Sequence, residues 1–117
     1  MCVAGPHDPQ TPSQKEFYDR FVKKYPAKDW EPNIWPHTEL VPCLTKAIVE
    51  TQSFDPNKLA KHLETMTWDS PMGPLWFGGT KIFDVKRQLM IPFTLLQARG
   101  GKAVFIDTLP VPTGIFD

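Results

Sequence analysis

Thirteen prolines are spread over 117 residues, roughly twice the usual share. Each fixes φ, removes a backbone donor and interrupts a helix interior or a central strand. They lie in no low-complexity tract, so they read as punctuation between short elements rather than as a polyproline ligand. The densest case is the stretch SPMGPLWFGG, residues 70–79. Pro71 and Pro74 rule out a helix there, and Gly73, Gly78 and Gly79 weaken any regular element. The same stretch carries more large apolar surface than a solvated loop needs. It reads as a ligand clamp, a buried strand or a fragment of something larger.

Charge narrows the function classes. Thirteen Lys and Arg balance thirteen Asp and Glu, so no basic field exists to attract a phosphate backbone, which argues against a nucleic-acid partner. The content of hydrophobic residues (41%) and charged residues (22%) is that of a globular chain, not a disordered one. The length suits one domain or part of one. No run approaches the ~18 apolar residues that span a bilayer. The N-terminal MCVAGPHD lacks the basic and apolar regions of a signal peptide, as expected of a cytosolic protein or of a chain starting downstream of its address. Cys2 and Cys43 could pair in an oxidising compartment, or stand as a near-terminal thiol and a helix thiol; two cysteines make no disulfide framework.

Residues 11–66 read as helical. Thr11 is a cap, Pro12 sits at the first helical position and Gln14 at the capping-box position of a helix over 12–25. Phe17, Phe21 and Tyr25 fall at spacing four on it, flanked by Tyr18 and Val22. A second helix is predicted over 38–51 with Leu40, Val41, Leu44, Ala47 and Ile48 inward, kinked or delayed by Pro42. Asp55-Pro56 opens a third over 56–66 carrying Leu59, Leu63 and Met66. Residues 72–110 read as extended: a strand over 73–77, then strands 88–97 and 103–109 joined across Ala98-Arg99-Gly100-Gly101-Lys102. Helices first and a hairpin last give an α+β order for a complete chain.

Catalytic chemistry is not written in these residues. His7, His37 and His62 share no ligating spacing, and Asp8, Glu39 and Glu64 sit where surface charges usually sit. Ser13, Ser53 and Ser70 lie in no nucleophile elbow. Gly78-Gly79 and Gly100-Gly101 lack the helix and lysine of a phosphate loop. Nothing in the spacing of Asp29, Asp69 and Asp84 demands a carboxylate pair. The chain therefore reads as a non-enzyme with no cofactor and no metal site. Trp30-Glu31-Pro32-Asn33-Ile34-Trp35-Pro36 is more informative: two tryptophans flank an amide in a proline-stiffened connection. It reads either as tryptophans packed on neighbouring helices or as the wall of a small-ligand pocket.

In order along the chain, PSQKEFYDRFVKKYP, PNIWPHTELVPCLTKAIVETQSFDPNKLAKHLETM, SPMGPLWF and IPFTLLQARGGKAVFI resemble the C-terminal part of the type I periplasmic solute-binding proteins. The leucine/isoleucine/valine-binding receptors of ABC transporters are the best-known members. The resemblance covers residues 3–112, and its most specific element is Met72-Gly73-Pro74-Leu75. It implies a partial α/β fold, the C-terminal portion of a periplasmic-binding-protein-like I fold. Residues 3–82 would be a lobe I segment and 83–112 a lobe II segment, with interlobe crossings near Val3–Pro6 and Ile82–Lys86. The stretch 70–79 would then be an irregular edge strand closing the lobe I part. The parallel strands of both lobes and the N-terminal ligand-holding loops are not in this chain, so an excised piece, a truncated product or a proteolytic remnant is implied.

The resemblance further implies a small-molecule ligand, an amino acid or an aromatic or other organic acid, held in the full-length parent and delivered to an ABC permease in the periplasm. Asn33, with Trp35 beside it, occupies the position that reaches the ligand, and His7 lies near the second crossing. Family members often carry an aromatic residue at the position of Asn33, so asparagine favours a ligand with a hydrogen-bonding group. Other readings are a cytoplasmic sensor of the same fold and a free-standing interaction module. With the sheets incomplete, Phe17, Phe21, Leu40, Leu44, Leu59, Leu63 and strand 88–97 are expected to face water. The six side chains represent on the order of 9–18 kcal/mol of unrealised burial. A homo-oligomer is expected from that surface, with the C-terminal hairpin exchanged across Asp84–Gln88.

Overall fold

A computed structural model describes residues 2–3 and 6–116. Strand β1 (Cys2–Val3) is followed by helix α1 (Pro12–Val22) and a 3-10 turn at Ala27–Asp29. Helices α2 (Ile34–Thr38), α3 (Leu40–Thr51) and α4 (Pro56–Leu63) come next. The remaining elements are β2 (Thr67–Ser70), β3 (Gly73–Gly78), α5 (Thr80–Phe83), β4 (Gln88–Met90), β5 (Phe93–Arg99), β6 (Lys102–Leu109) and a terminal turn of helix, α6 (Thr113–Phe116). Helix and sheet are thus mixed, as the sequence implies at that coarse level.

Local chemistry sets the helix ends. The Thr11 hydroxyl accepts from the Gln14 N–H at 3.2 Å, and Pro12 starts α1. The Gln14 side chain reaches back to the Gln10 N–H at 2.8 Å, one residue outside the reciprocal bond of a capping box. Its amide also donates to the Pro71 carbonyl at 3.1 Å, tying α1 to the β2–β3 turn. Helix α1 stops at Val22, short of 25, because Pro26 biases Tyr25 away from helical backbone. Helix α3 begins at Leu40 rather than 38, which places Pro42 in the first turn, where its missing N–H has no helical partner to lose. Asp55 caps α4 through the Lys58 N–H at 2.8 Å, and the helix ends at Leu63 rather than 66.

The strands form two antiparallel sheets, ordered β1-β5-β6 and β2-β3-β4. Residues 70–79 are resolved into a turn and a strand. The Ser70 hydroxyl accepts from the Met72 N–H at 3.0 Å and donates to the Gly73 carbonyl at 2.9 Å, and Gly73 takes φ +99°. Strand β3 is central, not an edge. It tolerates Pro74 because β4 pairs only with Trp76–Gly78, so the ladder on that side never reaches the proline.

The predicted strand 88–97 is two strands in two sheets. Pro92, lacking an N–H, cannot continue a ladder, and the chain changes sheet at Ile91–Pro92. The segment 82–86, expected to cross, instead contains the end of α5 and returns the chain to β3 through β4. The final hairpin is tighter than expected. Arg99 pairs with Lys102 across Gly100 and Gly101 alone, both at positive φ, which suits the twist of a two-residue turn.

One core joins α1–α4 to the β2-β3-β4 sheet: Trp30, Trp35, Cys43, Ala47, Leu59, Met66, Trp68, Met72 and Leu75. Phe17, Phe21 and Leu63 pack against it half-buried. Of the side chains expected to face water, Leu40 and Leu44 do. Leu59 is buried, and Phe17, Phe21 and Leu63 are not open surface, because the helices and the β2-β3-β4 sheet close a core by themselves. On α3 Ala47 is inward as expected, with Cys43 beside it, and Val41 is exposed. The pairing considered for Cys2 and Cys43 falls on a side chain outside the described part, and Cys43 carries a free thiol. Among the described side chains, the β1-β5-β6 sheet contributes none to that cluster, although it buries Thr94 and Leu96. The fold is correspondingly open. Its radius of gyration is 15.9 Å, against about 13 Å for a compact domain of this length. Its accessible surface is 7739 Å², against about 6,400 Å² for a monomer of this mass.

Candidate functional site

The connection 30–36 meets the chain that leaves β1. The Trp35 indole N–H donates to the Pro6 carbonyl at 2.9 Å, and the Trp30 indole N–H donates to the His7 carbonyl at 2.7 Å. Helix α1 supplies the surrounding rings: Tyr18 lies edge-on to Trp30 at 5.0 Å, Phe21 at 5.2 Å, and Phe17 packs on Trp35 at 5.3 Å. The two indoles themselves are T-shaped at 5.1 Å. Aromatic edges meeting faces in this way add to the burial of the rings. The i, i+4 phenylalanines of α1 and the prolines at 32 and 36 are the local reason this knot forms.

The three candidate residues separate on this frame. Trp35 is 0% exposed. Its ring is core, so the wall reading gives way to packing for that side chain. Asn33 is exposed at the start of α2 and makes no capping bond with its side chain. His7 is exposed as well, with Nδ1 3.5 Å from the Asp8 carboxylate. The indole bonds therefore bring the backbones of 6–7 and 30–35 together and leave the Asn33 amide and the His7 imidazole on open surface.

Glu39 departs most from expectation. Placed among surface charges by sequence, it is 5% exposed, at the junction of α2 and α3. The Trp68 indole N–H donates to its Oε2 at 3.2 Å. A cavity of about 40 Å³ adjoins it, lined by Leu40, Cys43, Trp68, Phe77 and Leu89. Burial lifts the Glu39 carboxyl above the usual carboxylate range, and the Trp68 hydrogen bond, which favours the charged form, offsets only part of that. Burial also raises the Cys43 thiol, helped by the Glu39 charge and opposed by the Leu44 backbone. The available signal was spacing: Glu39, Cys43 and Ala47 recur at i, i+4, i+8 on one helical face.

Glu50 behaves oppositely. It bonds the Lys46 ammonium along α3 and the His62 Nε2 of α4 at 2.7 Å, and these contacts hold its carboxyl below the usual range. This is a solvated tie between helices. Compared with known protein families and with curated proteins, the chain matches none.

Proposed function

We propose that this chain is the C-terminal segment of the solute-binding component of an ABC transporter, for branched-chain amino acids or related small organic ligands. The observation that carries the reading is the division of the chain into two sheets. Each has open edges, and the main buried cluster lies on only one of them, while the other buries Thr94 and Leu96. Such a chain suits two lobes to which further strands are added. The chain leaves the first sheet after β1, builds the helices and the second sheet, and returns to the first at Ile91–Pro92. The ordered resemblance of residues 3–112 supports the same reading.

On this reading Asn33 and His7 face the cleft, and Trp30 and Trp35 hold their backbones in register. An exposed amide with no bond of its own is suited to a ligand carrying a hydrogen-bonding group. The parent would be periplasmic and would hand its ligand to a permease. Solute affinity would require both lobes, because closure around the ligand excludes water.

Calorimetry tests it. In the longer protein that carries this segment, one amino acid or organic acid should bind with about 1:1 stoichiometry. Asn33→Ala should weaken that binding by roughly 1–3 kcal/mol. The chain alone should show no micromolar amino-acid binding. Unchanged affinity in Asn33→Ala removes the residue from the site; micromolar binding by the chain alone overturns the two-lobe requirement.

A further inference from the structure

We propose that the depression between α4, β3 and the segment before β4 is a binding site for a small monocarboxylate with an apolar tail. Ala60, Leu63 and Phe77 give it an apolar lining, and Glu64, Lys86 and Arg87 complete it. The first four are half-buried, whereas Lys86 and Arg87 are exposed. The site shares no residue with the surface around His7 and Asn33, and it stands whether or not the receptor reading holds.

The charges are placed for an anion. Arg87 Nε donates to Glu64 Oε1 at 3.2 Å, which places the guanidinium beside the depression. Among the described residues no further hydrogen bond engages its terminal nitrogens or the Lys86 ammonium. Two cations and one carboxylate leave a net charge of +1 at the border of an apolar floor. A guanidinium held at Nε still offers its terminal donors in the fork that suits a carboxylate. The volume, about 190 Å³, is below the roughly 300–1,000 Å³ of drug-sized pockets, so only a small tail fits. An amino acid is a poor occupant. Its ammonium, next to the carboxylate, would have to displace Arg87 as the partner of Glu64 or lie against Lys86 and Arg87.

The test is a titration of the isotope-labelled full chain with phenylacetate and hexanoate, and with their neutral amides, followed by amide chemical shifts. Saturable shifts should cluster at 60–64, 77 and 86–87, with the neutral amides binding on the order of tenfold more weakly. Lys86→Gln, which removes an ammonium with no hydrogen bond among the described residues, should weaken carboxylate binding by a similar factor and leave the spectrum otherwise unchanged. Lys86→Gln/Arg87→Gln should abolish it. No saturable shifts, shifts clustered elsewhere, equal binding of acid and amide, or undiminished binding by the double variant would each overturn the proposal. Shifts at His7 and Asn33 instead would speak to the cleft and not to this site.

Discussion

The Trp35 indole donates to the Pro6 carbonyl at 2.9 Å from a position with no solvent exposure. That bond fastens the chain leaving β1 to the helical layer, and the ring itself fills the core between Phe17 and Trp30. Trp35→Ala should cost about 3–5 kcal/mol, through lost burial and a large cavity. Trp35→Phe keeps much of the ring but leaves a buried carbonyl without its donor, at about 1–3 kcal/mol. Urea denaturation of the two variants separates packing from hydrogen bonding. A Trp35→Phe variant as stable as the native chain would mean that the indole bond contributes nothing of its own.

Glu39 should make stability depend on pH in the direction opposite to most carboxylates. Its folded-state value is raised above the ordinary 4.5, so the folded chain binds the proton more tightly than the unfolded one. The penalty of ionising it is absent below 4.5, grows through the window between that value and the raised one, and is full above. Glu39→Gln retains an oxygen acceptor for the Trp68 N–H and removes the charge. The variant should be more stable than the native chain at pH 7 and equal to it under acid conditions. Melting curves across that range decide it; a variant less stable at neutral pH would show that the carboxylate is satisfied where it sits.

Capping and turn chemistry were legible because they act over three or four residues. Thr11-Pro12, Asp55-Pro56 and Gly100-Gly101 each carry their own geometric reason, and the structure uses each one. The strand 88–97 was misread because Leu89 to Leu96 is continuously apolar or β-favouring apart from Pro92, and pairing across sheets is not a local property. The inward face of α3 was misread for a related reason. Leu40, Val41, Cys43, Leu44, Ala47 and Ile48 span nearly half of the helix circumference, so periodicity alone cannot say which part meets the sheet. Trp35 fitted both pocket wall and core by residue type, and only the contacts of α1 distinguish them.

Gly79 should resist substitution. It sits between β3 and α5 at φ +106°, and a Cβ there would meet Gln88 Cβ and Phe83 Cδ2 at 3.0 Å each. Gly79→Ala combines backbone strain with these overlaps and should cost on the order of 1–3 kcal/mol. Gly100, at φ +55°, has no neighbour within 4 Å, so Gly100→Asn should be close to neutral, since asparagine tolerates left-handed backbone. Denaturation midpoints of the two variants provide the comparison. A neutral Gly79→Ala would mean that the turn has another conformation open to it.

Assembly follows from what the fold leaves uncovered. On α3, Leu40, Val41 and Leu44 are 57%, 72% and 45% exposed, an apolar stripe beside the buried one at Cys43 and Ala47. Covering side chains of that size is worth on the order of 1–3 kcal/mol each. Strand β6 adds a second open surface, since β5 pairs with one of its edges and no strand of the described residues pairs with the other. Without further strands the chain should associate with itself, as a dimer or larger species at low micromolar concentration. Exchange of the β5–β6 hairpin, if it occurs, should pivot at Ile91–Pro92, where the chain changes sheet, and not at 84–88. Light scattering after size exclusion measures the mass, and Leu40→Lys/Leu44→Lys should shift it toward monomer if α3 forms the contact. A persistent dimer in that variant removes α3 from the contact and leaves the open sheet edges, β6 among them. A native chain that runs as a sharp, folded monomer would show that both surfaces are stable in water as they stand.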